Sequence, residues 1–468
     1  MRSSALDPPR ARAWPTIAAA TMPDSISVVA VEDVARLAEW VPEWEELAAG
    51  AIEPNVFYEP WQMLPAVEAF GKHSHLIHLL VFSVDPGAPS ARPLLCAYFP
   101  LERVRRFRGM PVAALTLWKH MHCFLCTPLI RPGYAAQSLA ALLEWARTDP
   151  RGAAIVQLQQ VAGDGIFKRA LVDILHERNR PAFISGTHDR ALFVPREDAD
   201  RYMLASMSTK SRKQVRRLTR RLAEAGSVEF AELDASGDLG AWVEDFLALE
   251  ASGWKGRTAS ALACHESQRR FFTNMTREAF RRGRLMMLAM TLNGRPVAMK
   301  CNLLAGPAAF SFKIAFDETF ERFSPGVLLE VENIRRLHAC AGLEWMDSCA
   351  VADHSMANRL WIDRRKIETI AVASGRPMGG FFVRTMPLAR LVLNIVRPRP
   401  RRAERVGTGT GEESHEPSAG DRRVRRGQFR PEAVLDPASP DGASPVRPRA
   451  PRRVVSPPDR PSGGVPRR

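Results

Sequence analysis

Two residues with acid–base chemistry follow a predicted strand in the second half of the chain. Asp347 comes directly after the apolar stretch 343–346, and His354 lies one short turn further on. A carboxylate or an imidazole near a strand end can exchange a proton with a substrate, so both are candidate catalytic residues. The alternatives are a strand-end cap or ion-pair partner for Asp347 and a helix-capping position for His354.

The segment 310–329 has the pattern of a strand, a loop and a helix start. Large apolar residues alternate with smaller or polar ones over 310–316, as on one face of a pleated strand. Ser324 is a good N-cap, and Pro325 fits the first helical turn. A helix start beyond the carboxyl end of a strand presents free N–H groups and a positive dipole, which suit a phosphate. The candidate phosphate-binding residues are Ser324, Pro325, Gly326, Val327 and Leu328.

Five residues near this loop are candidates for contacts with a substrate. Asp317 and Glu318 directly precede it, where their charges would repel a phosphate and attract an ammonium group, although a simple polar turn is the alternative. Trp254 and Lys255 follow a predicted apolar helix and could form one wall of a substrate site. A tryptophan that closes the edge of the core is the alternative there. Lys313, within the strand, completes the set.

The motif His120-Met-His-Cys-Phe-Leu-Cys126 carries side chains that zinc binds well. Ligands at the adjacent positions 122 and 123 do not converge easily on one metal, and no second cysteine pair follows nearby. We therefore expect buried loop residues here and no metal cofactor.

A strongly basic helix is predicted between the two halves of the chain. Over 206–222, Val215, Leu218 and Leu222 form one apolar stripe, and seven basic residues cover the rest. One interpretation is the solvated face of a linking helix. The other is a surface for an anionic partner such as phosphate, RNA or a polysaccharide.

The overall composition indicates a large globular protein with a separate basic tail. Hydrophobic residues make up 46% of the 468 residues, which allows two or three domains. Residues 397–468 hold 17 arginines against 9 acidic residues, so +8 of the net charge of +15 lies in this proline-rich segment. Such a segment cannot bury enough apolar surface to fold, and we predict disorder there and over residues 1–22.

The cysteine pattern and the hydropathy of the chain indicate the cellular compartment of the protein. The seven cysteines are scattered through apolar segments, as expected of reduced thiols. No run approaches the roughly 18 apolar residues of a membrane span, and the N-terminal apolar patch is too short for a signal peptide. These features favour a cytoplasmic protein. Residues 381–396 form a basic amphipathic pattern, which fits either a helix packed on its own domain or one lying on a membrane surface.

The elements that must position the candidate residues recur in a similar order in both halves. The first half reads as a helix at 33–48, a hairpin of strands 76–84 and 93–101, a helix at 135–147, a strand at 154–160 and a helix at 166–178. The second half reads as a hairpin of strands 285–292 and 296–304 around Asn293-Gly294, a strand at 310–316, a helix at 326–341, a strand at 343–349, a helix at 356–361 and a strand at 366–372. Hairpins followed by a β-α-β crossover predict an α/β (α+β) mixed sheet with helices on its faces.

Six motifs in the second half share an order and spacing that are fairly specific in combination. They are Ser206 to Leu222, Glu250-Ala-Ser-Gly-Trp-Lys-Gly256, Phe271-Phe272, Asn293-Gly294 with Pro296-Val-Ala298, Lys313-Ile-Ala-Phe-Asp-Glu318 and Ser324-Pro-Gly-Val-Leu-Leu329. Over residues 200–372 the chain resembles the acetyltransferase family related to the cellulose-biosynthesis protein CelD (the CelD/BcsL type) and to the FemAB-like aminoacyl transferases. This family is a branch of the GCN5-related N-acetyltransferase (GNAT) fold.

The resemblance implies two tandem GNAT-like lobes, at 23–195 and 196–397, and a disordered tail at 398–468. It implies transfer of an acetyl or other acyl group from acyl-CoA, as co-substrate, to a small-molecule or glycan amine, in polysaccharide or cell-envelope biosynthesis. Two alternatives are a FemAB-like transferase that uses aminoacyl-tRNA, and a non-catalytic scaffold of exopolysaccharide assembly. Outside the tRNA alternative, no nucleic-acid partner is expected.

Overall fold

The structure of the chain is a computed structural model that describes residues 26–84, 93–151 and 153–396. In this part of the chain thirteen strands form one sheet. They are β1 (Ile26–Val31), β2 (Leu76–Ser83), β3 (Leu94–Val104), β4 (Ala114–Leu117), β5 (Leu129–Ile130), β6 (Ile155–Ala162), β7 (Ala182–Phe193), β8 (Val228–Glu232), β9 (Leu285–Leu292), β10 (Arg295–Ala305), β11 (Ala308–Phe316), β12 (Trp345–Asp347) and β13 (Asp363–Ala373).

Helices connect these strands and cover both faces of the sheet. The α-helices of the described residues are α1 (Val34–Ala38), α2 (Val41–Ala49), α3 (Pro60–Phe70), α4 (Ala135–Thr148), α5 (Ile166–Glu177), α6 (Ala199–Ser206), α7 (Thr209–Ala223), α8 (Leu239–Ser252), α9 (Trp254–Arg257), α10 (Glu266–Arg281), α11 (Pro325–Ala339), α12 (Ser355–Leu360) and α13 (Pro377–Val396). Short 3-10 helices lie at Val56–Tyr58, Gly71–His73, Leu262–Cys264 and Glu318–Phe323.

The sheet combines strands from both halves of the chain. Their order is β1-β2-β3-β4-β6-β13-β7-β12-β11-β10-β9-β8, and β5 pairs with β3. The pairs β4–β6 and β11–β12 are parallel, and the others are antiparallel. The last strand, β13, lies between β6 and β7. The prediction of a mixed sheet is confirmed, while the boundary between two lobes at 195/196 stays a prediction.

Several elements lie within a few residues of their predicted positions. In the hairpin of β9 and β10, Asn293 and Gly294 have φ angles of 52° and 77°. Two successive left-handed residues are what a two-residue type I′ turn requires, so the Asn-Gly signal is confirmed. The helices predicted at 135–147, 166–178 and 356–361 correspond to α4, α5 and α12.

Other predictions about elements were wrong. The helix expected at 33–48 is two helices, because Pro42 stands in the first turn of α2 and cannot continue a preceding helix. The strand expected at 343–349 is shortened to the three residues of β12. Strands β1, β7 and β8 and helix α3 were not predicted at all. No residue of β8 and none of the first eight residues of β7 is buried, and both strands lack a strong apolar alternation.

Strand β11 keeps the predicted alternation only up to Phe312. Phe310 and Phe312 lie in the core cluster that also contains α8 and α10. The pairing with β10 then shifts by one residue, between Cys301 and Asn302. Because a β-bulge inserts one residue, the following side chains change face, and Phe316 packs in the second cluster with α7 and α11.

A buried polar network holds α11 on strand β10. Lys300 Nζ lies 2.9 Å from the Glu330 carboxylate and donates to Ser311 Oγ at 2.6 Å. Asn302 Nδ2 donates to Asn333 Oδ1 at 2.8 Å. A buried charge pair with additional hydrogen bonds fixes one geometry, so the N-terminus of α11 has a defined position beyond the end of β11.

Helix α13 packs on its own sheet through its described side chains. Val383 and Met386 are buried in a third cluster with Ala154 and Ile155. A Cβ at Gly379 would lie 2.1 Å from the Ala154 carbonyl oxygen, so glycine permits this close approach. Within the described residues no helix combines the length and the apolar character that crossing a bilayer needs. The predictions of disorder over residues 1–22 and over the tail 398–468 fall outside the described residues, as does the segment 85–92 that joins the two strands of the first predicted hairpin.

Candidate functional site

The two parallel strands β11 and β12 pair over only three residues. The pairs are Ala308 with Trp345, Ala309 with Met346, and Phe310 with Asp347. Strand β12 ends at Asp347, whereas β11 continues to Phe316. The edge of β11 beyond Phe310 therefore has no strand partner on this side among the described residues. In this part of β11 the Ile314 carbonyl oxygen accepts from Lys255 Nζ at 3.4 Å.

The loop after β11 leads into α11 through a left-handed residue. Ser324 occupies the N-cap position with φ 53° and ψ 55°, and its hydroxyl makes no capping hydrogen bond. The prediction of Ser324 as the N-cap residue is confirmed, although its side chain does not cap the helix. The carbonyl oxygen of Ser324 instead accepts from the N–H groups of Val327 at 2.9 Å and Leu328 at 3.2 Å.

One backbone donor is left open at the start of α11. Pro325 has no N–H, and in the described residues the Gly326 N–H has no backbone acceptor. A Cβ added at Gly326 would meet Phe316 at 3.5 Å, an ordinary contact distance. Packing therefore does not demand glycine here, although Gly326 itself is buried. The arrangement fits an anionic ligand, with fewer donors than a glycine-rich loop would present.

The acidic residues before the loop are engaged by neighbours. Asp317 caps the 3-10 helix Glu318–Phe323, accepting from the N–H of Thr319 at 2.9 Å, and its other oxygen lies 3.2 Å from Arg295. Glu318 accepts from the Trp254 N–H at 2.6 Å and from Arg257 at 2.7 Å. The contacts of Asp317 match the polar-turn alternative, and Glu318 ties the loop to α9. Contacts of either residue with a substrate stay a prediction.

Lys255 and Lys313 meet at a carboxylate that the sequence analysis did not single out. Glu250, at the end of α8, is 3% exposed. Its Oε1 accepts from Lys255 Nζ at 2.8 Å and lies 4.0 Å from Lys313 Nζ, and its Oε2 accepts from the Leu262 N–H at 2.8 Å. Of the five predicted substrate-contacting residues, Trp254, Lys255, Lys313 and Glu318 therefore lie in one neighbourhood at the carboxyl end of β11.

Burial dominates the electrostatics of this lysine cluster. It lowers the pKa of Lys313 from 10.5 to about 8, because Glu250 offsets only part of the cost of desolvating the ammonium and Lys255 adds repulsion. Burial by itself would raise the pKa of Glu250, but Lys255 and Lys313 hold it below its ordinary value. The carboxylate is therefore ionised at neutral pH between two amines.

Aromatic side chains from both halves of the chain surround Phe312, the neighbour of Lys313. The ring centroids of Phe57, Phe124 and Phe272 lie 6.5, 6.0 and 6.3 Å from that of Phe312. Phe57 and Phe124 belong to the first half of the chain. The apolar wall beside the lysine cluster is therefore built jointly by both halves.

Asp347 lies between two arginines. Its Oδ1 is 3.4 Å from Arg190 and its Oδ2 is 3.3 Å from Arg365, and the Cys349 N–H donates to Oδ1 at 2.8 Å. Arg365 also lies 3.7 Å from Glu53. The side chain of Asp347 is 0% exposed. The geometry matches the ion-pair alternative and presents no open carboxylate oxygen to a substrate, so the general-base role stays a prediction.

His354 occupies the N-cap position of α12. Its Nδ1 accepts from the Ala357 N–H at 3.2 Å, which places the ring proton of the neutral form on Nε2. Burial, followed by the charge of Lys300, lowers the pKa of His354. The residue is therefore neutral at pH 7 with Nδ1 occupied, and its catalytic role also stays a prediction.

The histidine and cysteine motif is buried in the core. The sulfur atoms of Cys123 and Cys126 lie 3.8 Å apart, and His122 Nε2 lies 3.2 Å from Gln268 Oε1. Among the described residues no three histidine, cysteine or acidic side chains are arranged to hold a metal ion.

Helix α7 exposes a basic face beside the loop. Leu218 and Leu222 are buried, and α7 packs against α11 and the 3-10 helix 318–323. Of its seven basic residues all but Arg212 are exposed, and the six exposed ones make one ion pair within the described residues, between Arg220 and Glu224 at 3.9 Å. The predicted amphipathic helix is confirmed.

One segment of the chain matches a known protein family. Residues 209–354 match the model of the acetyltransferase (GNAT) domain. This segment is similar to GNAT acetyltransferases. It runs from α7 to the N-cap of α12 and so contains β11, the loop and α11. The resemblance is confirmed at the level of this domain, whereas the CelD/BcsL type stays a prediction.

Solved structures show more distant similarity. FemX shares 10% identity, covering 73% of this chain and 98% of FemX with a TM-score of 0.48. The C-terminal domain of a putative lysylphosphatidylglycerol synthetase from Agrobacterium fabrum shares 12% identity, with coverages of 76% and 96% and a TM-score of 0.43. A tandem GNAT protein from clavulanic acid biosynthesis shares 13%, with coverages of 75% and 99% and a TM-score of 0.38. Similarity at this level carries no argument about activity. A comparison with curated proteins gives no match.

Proposed function

We propose that the chain is an N-acyltransferase that moves an acetyl or other acyl group from acyl-CoA to an amine. The observation that carries the proposal is the open edge of β11, followed directly by the helix start with its free Gly326 N–H, within the segment that matches the GNAT domain. An extended edge can hold the amide groups of the pantetheine arm of acyl-CoA by backbone hydrogen bonds while the helix start holds an anion.

The residues at hand can perform the tasks that thioester aminolysis requires. Bound acyl-CoA would supply the activated carbonyl. A backbone N–H on the open edge of β11 would donate to the carbonyl oxygen as negative charge develops there. The Gly326 N–H and the basic face of α7 would hold phosphate groups. The aromatic wall around Phe312 excludes water from the reacting atoms and favours the neutral, nucleophilic form of the amine.

Roles for the predicted acid–base residues remain part of the proposal. Asp347 orients Arg190 and Arg365 in the geometry seen here, and His354 caps α12. The two-lobed arrangement at 23–195 and 196–397 rests on the recurring order of the elements and on the sequence resemblance, and a cytoplasmic location rests on cysteine usage and hydropathy. A role in polysaccharide or cell-envelope biosynthesis rests on the sequence resemblance alone.

Calorimetric titration of the full chain with acetyl-CoA tests the donor. Binding is expected for the wild type, and Gly326→Trp, which fills the helix start, is expected to abolish it. Absence of binding by a folded wild-type protein would contradict the proposal. Thermal unfolding of both proteins separates loss of the site from loss of the fold.

A second donor, aminoacyl-tRNA, is supported by the exposed basic face of α7. Among the ion pairs of the described residues, the six exposed basic side chains are offset only by Glu224, which lies 3.9 Å from Arg220. This face therefore attracts a polyanion. Treating the reaction with RNase decides between the donors: activity that survives the treatment removes the tRNA alternative.

A further inference from the structure

We propose that Lys313 and Lys255 form a binding site for an anionic group, a phosphate or a carboxylate, on the acceptor amine. This inference rests on the proposed acyl transfer and specifies its substrate class. The sequence had suggested the opposite charge, because Asp317 and Glu318 were expected to attract an ammonium group.

The cluster contains two ammonium groups, those of Lys255 and Lys313, and one carboxylate, that of Glu250. Its net charge is therefore +1. Glu250 receives a hydrogen bond on each oxygen, from Lys255 and from the Leu262 N–H. Lys313 Nζ, at 4.0 Å from Glu250, lies beyond hydrogen-bond distance, and no other acceptor for it is found in the described residues. Its side chain is 15% exposed. A largely buried ammonium that lacks an acceptor is poised to receive an anion.

No neighbouring group supplies the missing negative charge. Glu318 is paired with Arg257, and Asp317 is paired with Arg295. Burial lowers the pKa of His122 well below its ordinary value, so the ring is neutral. Burial raises the pKa of the Cys301 thiol, across the sheet on β10, to about 12, so it is neutral as well.

The position of Lys313 suits a small acceptor. Lys313 lies three residues beyond Phe310, where the pairing of β11 with β12 ends. Lys313 therefore lies within the part of β11 that has no partner on the side of β12. A small acceptor anchored by its anion at Lys313 would place its amine next to this open edge.

Matched acceptors that differ by one phosphate test the inference: ethanolamine against O-phosphoethanolamine, and glucosamine against its 6-phosphate, each with acetyl-CoA. We expect kcat/KM to favour the phosphorylated member at least tenfold at pH 7. The preference should fall towards unity in Lys313→Met through a higher KM, and persist in Lys313→Arg. It should also fall as the pH rises through about 8, where Lys313 loses its proton.

Equal use of both members by an enzyme that binds acetyl-CoA would overturn the inference and leave the proposed function standing. Failure to bind acetyl-CoA would instead overturn the proposed function. A readout that does not need turnover is thermal unfolding in inorganic phosphate against chloride of equal ionic strength. Phosphate should stabilise the wild type more than Lys313→Met, and an identical effect on both proteins would contradict an anion site at Lys313.

Discussion

Lys313 Nζ lies 4.0 Å from Glu250 Oε1, and Lys255 holds the same oxygen at 2.8 Å. Strand β11 and helix α8 are thus joined at a carboxylate shared by two amines. Burying the charged Lys313 ammonium costs desolvation free energy in the folded protein. The free energy of unfolding therefore depends on pH.

Replacing Lys313 with methionine should stabilise the protein at neutral pH. The folded-state pKa of about 8 lies below the ordinary 10.5, so between these values the unfolded chain binds a proton that the folded chain has lost. The free energy of unfolding therefore rises with pH across this window, by up to roughly 3 kcal/mol. Lys313→Met should remove that rise in urea unfolding measured from pH 7 to 10.5, with the exposed Lys366→Met as control. Parallel pH profiles for Lys313→Met and the wild type would refute the burial argument.

Neutralising Glu250 should be strongly destabilising. Glu250→Gln leaves two largely buried amines without a counter-charge, and we expect a loss of about 3–5 kcal/mol in the free energy of unfolding. The matched control is Glu244→Gln on the same helix, whose side chain is 58% exposed beside Arg269 and whose loss should cost about 0–1 kcal/mol. Similar losses for both variants in denaturant unfolding would show that the charge of Glu250 contributes no more to stability than the charge of the exposed Glu244.

Gly326→Ala tests ligand binding at the helix start with a smaller structural change than Gly326→Trp. An alanine Cβ meets Phe316 at an ordinary distance, and alanine favours a helix over glycine, so stability should rise by about 0.5–1 kcal/mol. The added methyl group crowds the one free N–H at the helix start, so acetyl-CoA should bind several-fold more weakly by calorimetry. Gly380→Ala in α13, with open space around its Cβ, should show the stability gain with unchanged affinity. Unchanged acetyl-CoA affinity in Gly326→Ala would place the phosphate site elsewhere.

Asp347→Asn distinguishes an orienting role from general-base catalysis. Removing the charge leaves Arg190 and Arg365 buried with one fewer partner, so the free energy of unfolding should drop by about 3–5 kcal/mol. If Asp347 only orients the arginines, the folded protein keeps the pH dependence of kcat shown by the wild type. A fall in kcat at low pH that is present in the wild type and disappears in Asp347→Asn would restore the general-base prediction.

Local patterns in the sequence determined much of the fold. The Asn293-Gly294 turn, the strand at 310–316 and the helix after Pro325 were predicted because turn chemistry, period-2 alternation and capping preferences act within a few residues. The apolar stripe of α7 was readable for the same reason. Strands with few buried residues, such as β7 and β8, lack these signals. The helical spacing of the apolar residues over 33–48 continues through Pro42 and so does not reveal the helix break there.

Only the tertiary structure decided which charges meet. Lys313 and Glu250, or Arg190 and Asp347, are far apart in the chain, and the second pair is separated by 157 residues. The sequence marked Lys313, Glu318 and Asp347 as polar residues at strand ends, but whether each carboxylate is open or ion-paired depends on strand order and on the β11 bulge. A buried charge takes its properties from whatever the fold brings within a few ångströms, and periodicity along the chain does not encode that information.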